Sequence, residues 1–163
     1  MVPVVEPVRI GNRSPVHRLL PILLLASGCT PAPPRIDRIE FWLSGGEVQI
    51  DAQGKGWFRE AAPGRAGSFT LTPPQMTELI ATLEPLRRSK DAFPESDLWK
   101  RMRSPCTGRY VTDQGGVNIH WTGPELNRWA MIDFGCEAAS HFNRNARLRA
   151  LLRSLPVREQ PMG

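Results

Sequence analysis

A run of apolar residues from Leu19 to Ala26 divides this chain into two unequal parts. It contains eight residues and is interrupted by Pro21. A helix that crosses a bilayer needs about 20 apolar residues, so this run is too short to span one. Three arginines precede it, and small residues and a cysteine follow it. This order is typical of a secretory signal peptide, whose apolar core has roughly 7–15 residues, and we predict such a peptide over residues 1–28.

The residues Ala26-Ser27-Gly28-Cys29 resemble the lipobox of bacterial lipoprotein precursors, in which small residues precede an obligatory cysteine. The family prefers leucine three residues before the cysteine, where this chain has Ala26. The resemblance implies diacylglycerol on the sulfur of Cys29, cleavage before Cys29, and acylation of the new amino group, for example by palmitate. It also implies a lipid-anchored protein on the periplasmic side of the bacterial cell envelope. Thr30 stands where aspartate would direct retention in enteric bacteria, so the resemblance favours the outer membrane.

Two other interpretations of this stretch stay open at the level of sequence. Ala26 and Gly28 also fit a general signal-peptidase site, and cleavage there without lipidation would give a secreted, soluble protein. Alternatively, the run is a short buried helix with a packed cysteine.

The chain behind Cys29 has the size and composition of a single folded domain. The chain has 163 residues, with five tryptophans, six phenylalanines and 40% hydrophobic residues. Removing a leader of 28 residues leaves about 135, which is enough for one domain with its own core. We predict a lipidated cysteine and proline-rich tether over 29–35, a single domain over 36–157 and a flexible tail over 158–163.

Alternating apolar and polar residues predict an antiparallel sheet of about six strands. In the first strand Ile39, Phe41 and Leu43 share one face, and in a later strand Val117, Ile119 and Trp121 do the same. The turns at residues 51–54 and 113–116 have similar sequences, which fits two β-β-β-α units. We predict an α+β domain with two main helices on one face of the sheet.

Local signals place the helices. Thr72-Pro73-Pro74-Gln75 is a capping box with proline at the first helical position, and leucines at helical spacing follow it. Residues 94–102 fit a short second helix with Leu98 and Trp99 facing inward. The last helix is predicted to open at Glu137, to present Phe142 and several leucines to the core, and to stop before Pro156.

Two cysteines remain in the domain if Cys29 is lipidated. In an oxidising compartment a disulfide between Cys106 and Cys136 is the default outcome. Metal binding by cysteine needs more ligands at closer spacing, and the chain has no Cys-x-x-Cys.

The sequence offers few residues with the pattern of a catalytic site. His120 and His141 are the histidines behind the leader, and with Asp133 they would be the components of an acid–base pair. We interpret both as solvated surface residues, since no nucleophile elbow, phosphate loop or zinc motif occurs. The acidic residues of 91–97 lack the glycine and final glutamate of a calcium loop. We therefore predict neither a cofactor nor a metal site, and no catalytic residue.

The remaining candidates form a binding surface. Arg144 and Arg147 contribute to a basic side of the last helix, and Trp121 and Trp129 lie on strands where an exposed ring would serve as a platform. The full chain has a net charge of +5, but behind Cys29 fifteen arginines and three lysines against fifteen acidic residues give +3. This mild excess fits an anionic partner such as lipid headgroups or a cell-wall polymer. No basic run interleaved with aromatic residues points to nucleic acid.

These observations predict a non-catalytic binding or structural module of the cell envelope, with the membrane and either a cell-wall polymer or an envelope protein as partners. Two alternatives stay open. One is a small envelope hydrolase that uses His120 or His141 with a carboxylate in a cleft. The other is an inhibitor of an envelope enzyme, which would have an exposed aromatic patch on one sheet face and no cleft.

The lipidation of Cys29 has a direct test. We expect the mature N-terminus to be an acylated Cys29, because the apolar run, the small residues and the cysteine are in register. Mass spectrometry of the purified mature protein measures this, and Cys29→Ser should abolish both the acyl mass and membrane attachment. An intact Met1, or a cleaved chain with an unmodified Cys29, would contradict the prediction.

Overall fold

The computed structural model describes residues 34–62 and 64–156. The predicted signal peptide, Cys29, nearly all of the predicted tether and the predicted tail lie outside these residues. Within the described part of the chain, no helix is both long enough and apolar enough to cross a membrane.

The described residues form a seven-stranded antiparallel sheet, which confirms the predicted α+β class with one strand more than the expected six. Its order is β4-β3-β2-β1-β6-β7-β5. The strands are β1 (Arg38–Leu43), β2 (Gly46–Asp51), β3 (Lys55–Glu60), β4 (Ala66–Thr70), β5 (Ala92–Pro94), β6 (Gly116–Gly123) and β7 (Leu126–Asp133).

Three helices accompany the sheet: α1 (Pro73–Arg87), α2 (Leu98–Met102, after a 3-10 turn) and α3 (Phe142–Ser154). Helix α1 begins as predicted, since the Thr72 backbone N–H donates to the Gln75 side chain at 2.8 Å. Helix α3 begins five residues after the predicted Glu137. Glu137 has a φ of +47°, a left-handed conformation that a right-handed helix cannot include.

One face of the sheet and the two long helices enclose a single hydrophobic core. The predicted inward set of β1 is correct, since Ile39 and Phe41 are buried and Leu43 packs against the core. Buried leucines of α1 and α3 belong to the same cluster, so both long helices cover the same face of the sheet. These leucines are Leu79, Leu83, Leu86, Leu148 and Leu152.

Three aromatic residues depart from their predicted positions. Trp121 is 0% exposed, so its proposed place on a binding surface is wrong. The reason is the period-2 alternation of β6, which puts Trp121 on the same face as Val117 and Ile119. Conversely, Trp99 and Phe142 were expected to face inward but are 71% and 69% exposed. Trp99 lies in the five-residue helix α2, which has no buried residue, and Phe142 is the first residue of α3, ahead of its first buried residue, Asn145.

The two halves of the chain are not the same unit. The first half supplies four consecutive strands, β4-β3-β2-β1, and then α1. The second half supplies β5, a short helical segment, the hairpin β6–β7 and α3, and its β5 pairs with the far side of β7. Two β-β-β-α units therefore do not describe the fold, although the similar turns are real. Gly54 and Gly115 both have positive φ, 78° and 68°, which glycine adopts without strain.

The predicted disulfide is present. Cys106 and Cys136 are bonded, with their Cα atoms 5.6 Å apart. Cys106 belongs to the segment between α2 and β6, and Cys136 follows β7, where it also forms an isolated β-bridge with Tyr110. The bond therefore fastens the α2–β6 connection to the end of the sheet.

We expect the disulfide to contribute substantially to stability. Replacing both cysteines with serine should lower the free energy of unfolding by about 3–4 kcal/mol, because the bond closes a loop of about 30 residues. Urea unfolding of the oxidised protein and of the double variant measures the difference. Reduction should bring the parent protein down to the level of the variant and leave the variant unchanged. A loss below about 1 kcal/mol would show that the loop is already constrained in the unfolded state.

Candidate functional site

The face of the sheet that the long helices leave uncovered carries polar and aromatic side chains. Glu40 of β1 is directly opposite His120 of β6, and His120 is directly opposite Trp129 of β7. Directly opposed residues of antiparallel strands point to the same face and interact. The register of these three strands therefore brings the three side chains together.

Glu40, His120, Asn127 and Glu95 form a continuous chain of hydrogen bonds. Nδ1 of His120 lies 2.8 Å from a carboxylate oxygen of Glu40, and Nε2 lies 2.8 Å from the amide oxygen of Asn127. The Asn127 amide nitrogen donates to Glu95 at 2.7 Å, and Arg38 forms an ion pair with Glu40 at 3.2 Å. The side chains of Glu40 and His120 are only 10% and 12% exposed, so these contacts compensate for lost hydration.

The imidazole of His120 also belongs to a stack of three aromatic rings. The ring of Trp129 is stacked on His120, with centroids 4.0 Å apart, and on Trp42, with centroids 5.0 Å apart. The planes differ by only 15° and 19°. Trp129 and Trp42 are both half-buried, so one side of the stack remains accessible to solvent.

His120 is therefore not the solvated residue that the sequence indicated, and that interpretation is wrong. Its carboxylate partner is Glu40 rather than Asp133, which instead accepts from the backbone N–H of Gly135 at 2.8 Å. His141 is closer to expectation, since its side chain is 37% exposed and lies 3.8 Å from Glu137. The two histidines do not share a site, because His120 lies in mid-strand and His141 directly precedes α3.

A groove of about 730 Å³ lies at the end of the sheet where β1 and β7 finish and β6 begins. Trp42 connects it to the aromatic stack. Its lining also includes His141 and the disulfide. Its other large side chains include Phe93, Met102 and Tyr110, and its charged side chains are Arg101, Arg144, Asp91 and Asp133.

Among the described residues, two arginines and two aspartates line the groove, so its cations and carboxylates are equal in number. Arg144 lies 3.5 Å from Asp91, and burial lowers the pKa of its guanidinium below the ordinary value while Asp91 opposes that change. Arg101 lies over the ring of Phe93, with its guanidinium carbon 5.3 Å from the ring centroid. Arg101 has no ion-pair partner among the residues that the structure describes. Arg101 is therefore the cation of the groove with which an anionic group of a ligand can pair.

The four residues predicted to form a binding surface do not lie together. Arg144 lines the groove, whereas Arg147 is exposed on α3 outside it. Trp129 is the centre of the aromatic stack, whereas Trp121 is in the core. Sequence reasoning missed Glu40, Asn127 and Arg101, since their importance depends on strand register and on the fold of the α2–β6 connection. Cys29 is outside the described residues.

No cluster of three or more His, Cys, Asp or Glu side chains that would hold a metal occurs among the described residues. Comparison of the chain with family models, with curated proteins and with solved structures gives no match. The residues of the site are therefore the basis for any functional conclusion.

The buried position of His120 has a measurable consequence. We expect His120→Ala to lower the free energy of unfolding by about 1–3 kcal/mol, because it removes a partner from the nearly buried carboxylate of Glu40. His141→Ala is the matched control and should change stability by no more than about 0.5 kcal/mol, as is usual for surface positions. Urea denaturation measures both, and equal effects would contradict a structural role for His120.

Proposed function

We propose that this protein is a lipid-anchored binding module on the periplasmic side of the bacterial cell envelope, and that its groove binds an anionic cell-wall polymer. The proposed location is inferred from the sequence, which has a basic flank, a short apolar run and a lipobox-like stretch ending in Cys29. The binding role rests on the shape and the charges of the groove.

The observation that carries the proposal is the pairing of aromatic and cationic side chains in one groove. Trp42 and Tyr110 provide flat apolar surfaces on which sugar rings stack, and Arg101 and Arg144 provide donors for carboxylates. A volume of about 730 Å³ is in the usual range for ligand sites, and the groove lies at the end of the sheet where β1 and β7 finish.

The chemistry of the site favours binding over catalysis. Each ring nitrogen of His120 is in contact with an oxygen of the protein, and His120 is not among the residues that line the groove. His141 does line the groove, but its neighbour Glu137 is 3.8 Å away and half exposed, a weak arrangement for orienting a general base.

Anchoring makes modest affinity sufficient. A lipid on Cys29 would confine the domain to the membrane surface, where its concentration relative to the adjacent cell wall is high. A tether that is short and rich in proline is semi-rigid and would keep the domain close to the bilayer surface. A shallow groove with two arginines can then retain a polymer by repeated weak contacts.

The hydrolase alternative has one supporting observation, which is the 2.8 Å contact between His120 and a carboxylate. It predicts that the protein releases soluble fragments from the polymer and that His120→Ala abolishes this release while the protein remains folded. The binding proposal predicts retention of the polymer without any release. The inhibitor alternative expects an aromatic patch without a cleft, whereas the aromatic stack here adjoins a groove.

Replacing the two groove arginines should weaken binding. We expect Arg101→Gln with Arg144→Gln to reduce co-sedimentation with purified peptidoglycan about tenfold, which corresponds to the loss of about 1.4 kcal/mol. The effect should be larger at low salt, where charges are less screened.

The matched control is Arg147→Gln with Arg153→Gln, which removes two exposed charges of α3 outside the groove. It should bind as the parent protein does. Equal losses in both double variants would show a non-specific charge effect, and undiminished binding in the groove variant would overturn the proposal.

A further inference from the structure

The segment 98–111, which comprises α2 and most of the connection to β6, exposes an unusual number of apolar side chains. Every residue from Trp99 to Asp113 is exposed, apart from the half-buried Cys106. Among the described residues, six large hydrophobic side chains are exposed, and four of them lie in this segment. They are Trp99 at 71%, Met102 at 56%, Tyr110 at 54% and Val111 at 44%. A concentration of this kind marks an interaction surface more often than chance exposure.

The same segment is strongly basic. It contains Lys100, Arg101, Arg103 and Arg109 and has no aspartate or glutamate. None of these four cations has an ion-pair partner in the part of the chain that the structure describes. The segment therefore presents uncompensated positive charge beside exposed apolar side chains.

The fold holds this segment in place. Its middle is fixed by the disulfide between Cys106 and Cys136, and its end by the β-bridge between Tyr110 and Cys136. At its start, α2 is held by Arg101 over the buried ring of Phe93. Because these attachments constrain the backbone, the exposed side chains cannot all turn inward to bury themselves against the sheet.

We propose that the segment 98–111 is a membrane-contact surface, whose partner is a bilayer that contains anionic lipid. Lysine and arginine close to an anionic surface each gain binding energy, and tryptophan and tyrosine rings favour the headgroup region. Trp99 and Met102 are the side chains that distinguish a bilayer from a soluble polyanion. A polyanion would satisfy the cations and leave these two side chains in water, whereas a bilayer also buries them.

This surface adjoins the groove and does not depend on a lipid at Cys29. Trp99, Lys100, Arg103 and Arg109 do not line the groove, although Arg101, Met102 and Tyr110 do. Contact through the outer side of the segment would set the orientation of the domain on the membrane. It would also bring the groove close to the bilayer surface.

The test uses the oxidised full chain with Cys29→Ser, which cannot be acylated, and vesicles of phosphatidylcholine with or without about 30% phosphatidylglycerol. Lys100→Glu with Arg103→Glu should reduce co-sedimentation with the anionic vesicles by at least about tenfold, since each cation near an anionic surface contributes roughly a fivefold factor. The charge-matched control is Arg147→Glu with Arg153→Glu on α3, which should bind like the parent.

A second measurement locates the contact independently of total binding. A nitroxide label is placed at position 99 or at position 142 by Trp99→Cys or Phe142→Cys, both exposed apolar positions, in the Cys29→Ser background. On anionic vesicles, the label at 99 should become more accessible to oxygen and less accessible to a water-soluble nickel complex, whereas the label at 142 should not change.

Three outcomes would overturn the proposal. The first is a larger loss from the α3 control than from Lys100→Glu with Arg103→Glu, which would assign membrane contact to α3. The second is vesicle binding without any change at position 99, which would assign binding to another part of the chain. The third is no preference for anionic vesicles. Because Arg101 belongs to both surfaces, the two proposals are separated by Lys100→Glu with Arg103→Glu, whose positions lie outside the groove. This variant should lose vesicle binding and keep peptidoglycan binding.

Discussion

The antiparallel pairing of β1 with β6 is the contact on which the rest of the structure depends. It joins the two halves of the chain at the centre of the sheet. Its register puts Ile39 opposite Trp121 on the covered face and Glu40 opposite His120 on the other. A slip of one residue would move every side chain of one strand to the opposite face, so burial of the core fixes the polar face as well.

On the polar face the nearly buried Glu40 and His120 have partners, whereas the indole nitrogen of Trp129 is buried without one among the described residues. Glu40 and His120 lie where water has little access, and each unpaired group there would cost about 1–3 kcal/mol. The hydrogen bonds through Asn127 to Glu95 also attach the turn before α2 to the sheet. His120, which the sequence offered as a component of an acid–base pair, thus connects Glu40 of β1 to Asn127 of β7. The groove beside the aromatic stack is the part of the site that solvent reaches.

The disulfide has a comparable role at the end of the sheet. It fixes a connection that has little core of its own, since nearly every residue from Trp99 to Asp113 is exposed. One side of this connection helps to form the groove, through Arg101, Met102 and Tyr110. Its other side carries Trp99 and uncompensated cations. A single covalent constraint therefore supports both the proposed polymer site and the proposed membrane contact.

The sequence by itself determined the local structure. Period-2 alternation predicted the strands and their inward faces, the capping box predicted the start of α1, and the pair of cysteines predicted the bond. These signals depend on neighbours along the chain. Only the tertiary structure decided that Glu40 contacts His120, 80 residues away, and that Trp99 is exposed. Such contacts arise from strand register and from the packing of distant segments, and no local pattern of residues encodes either.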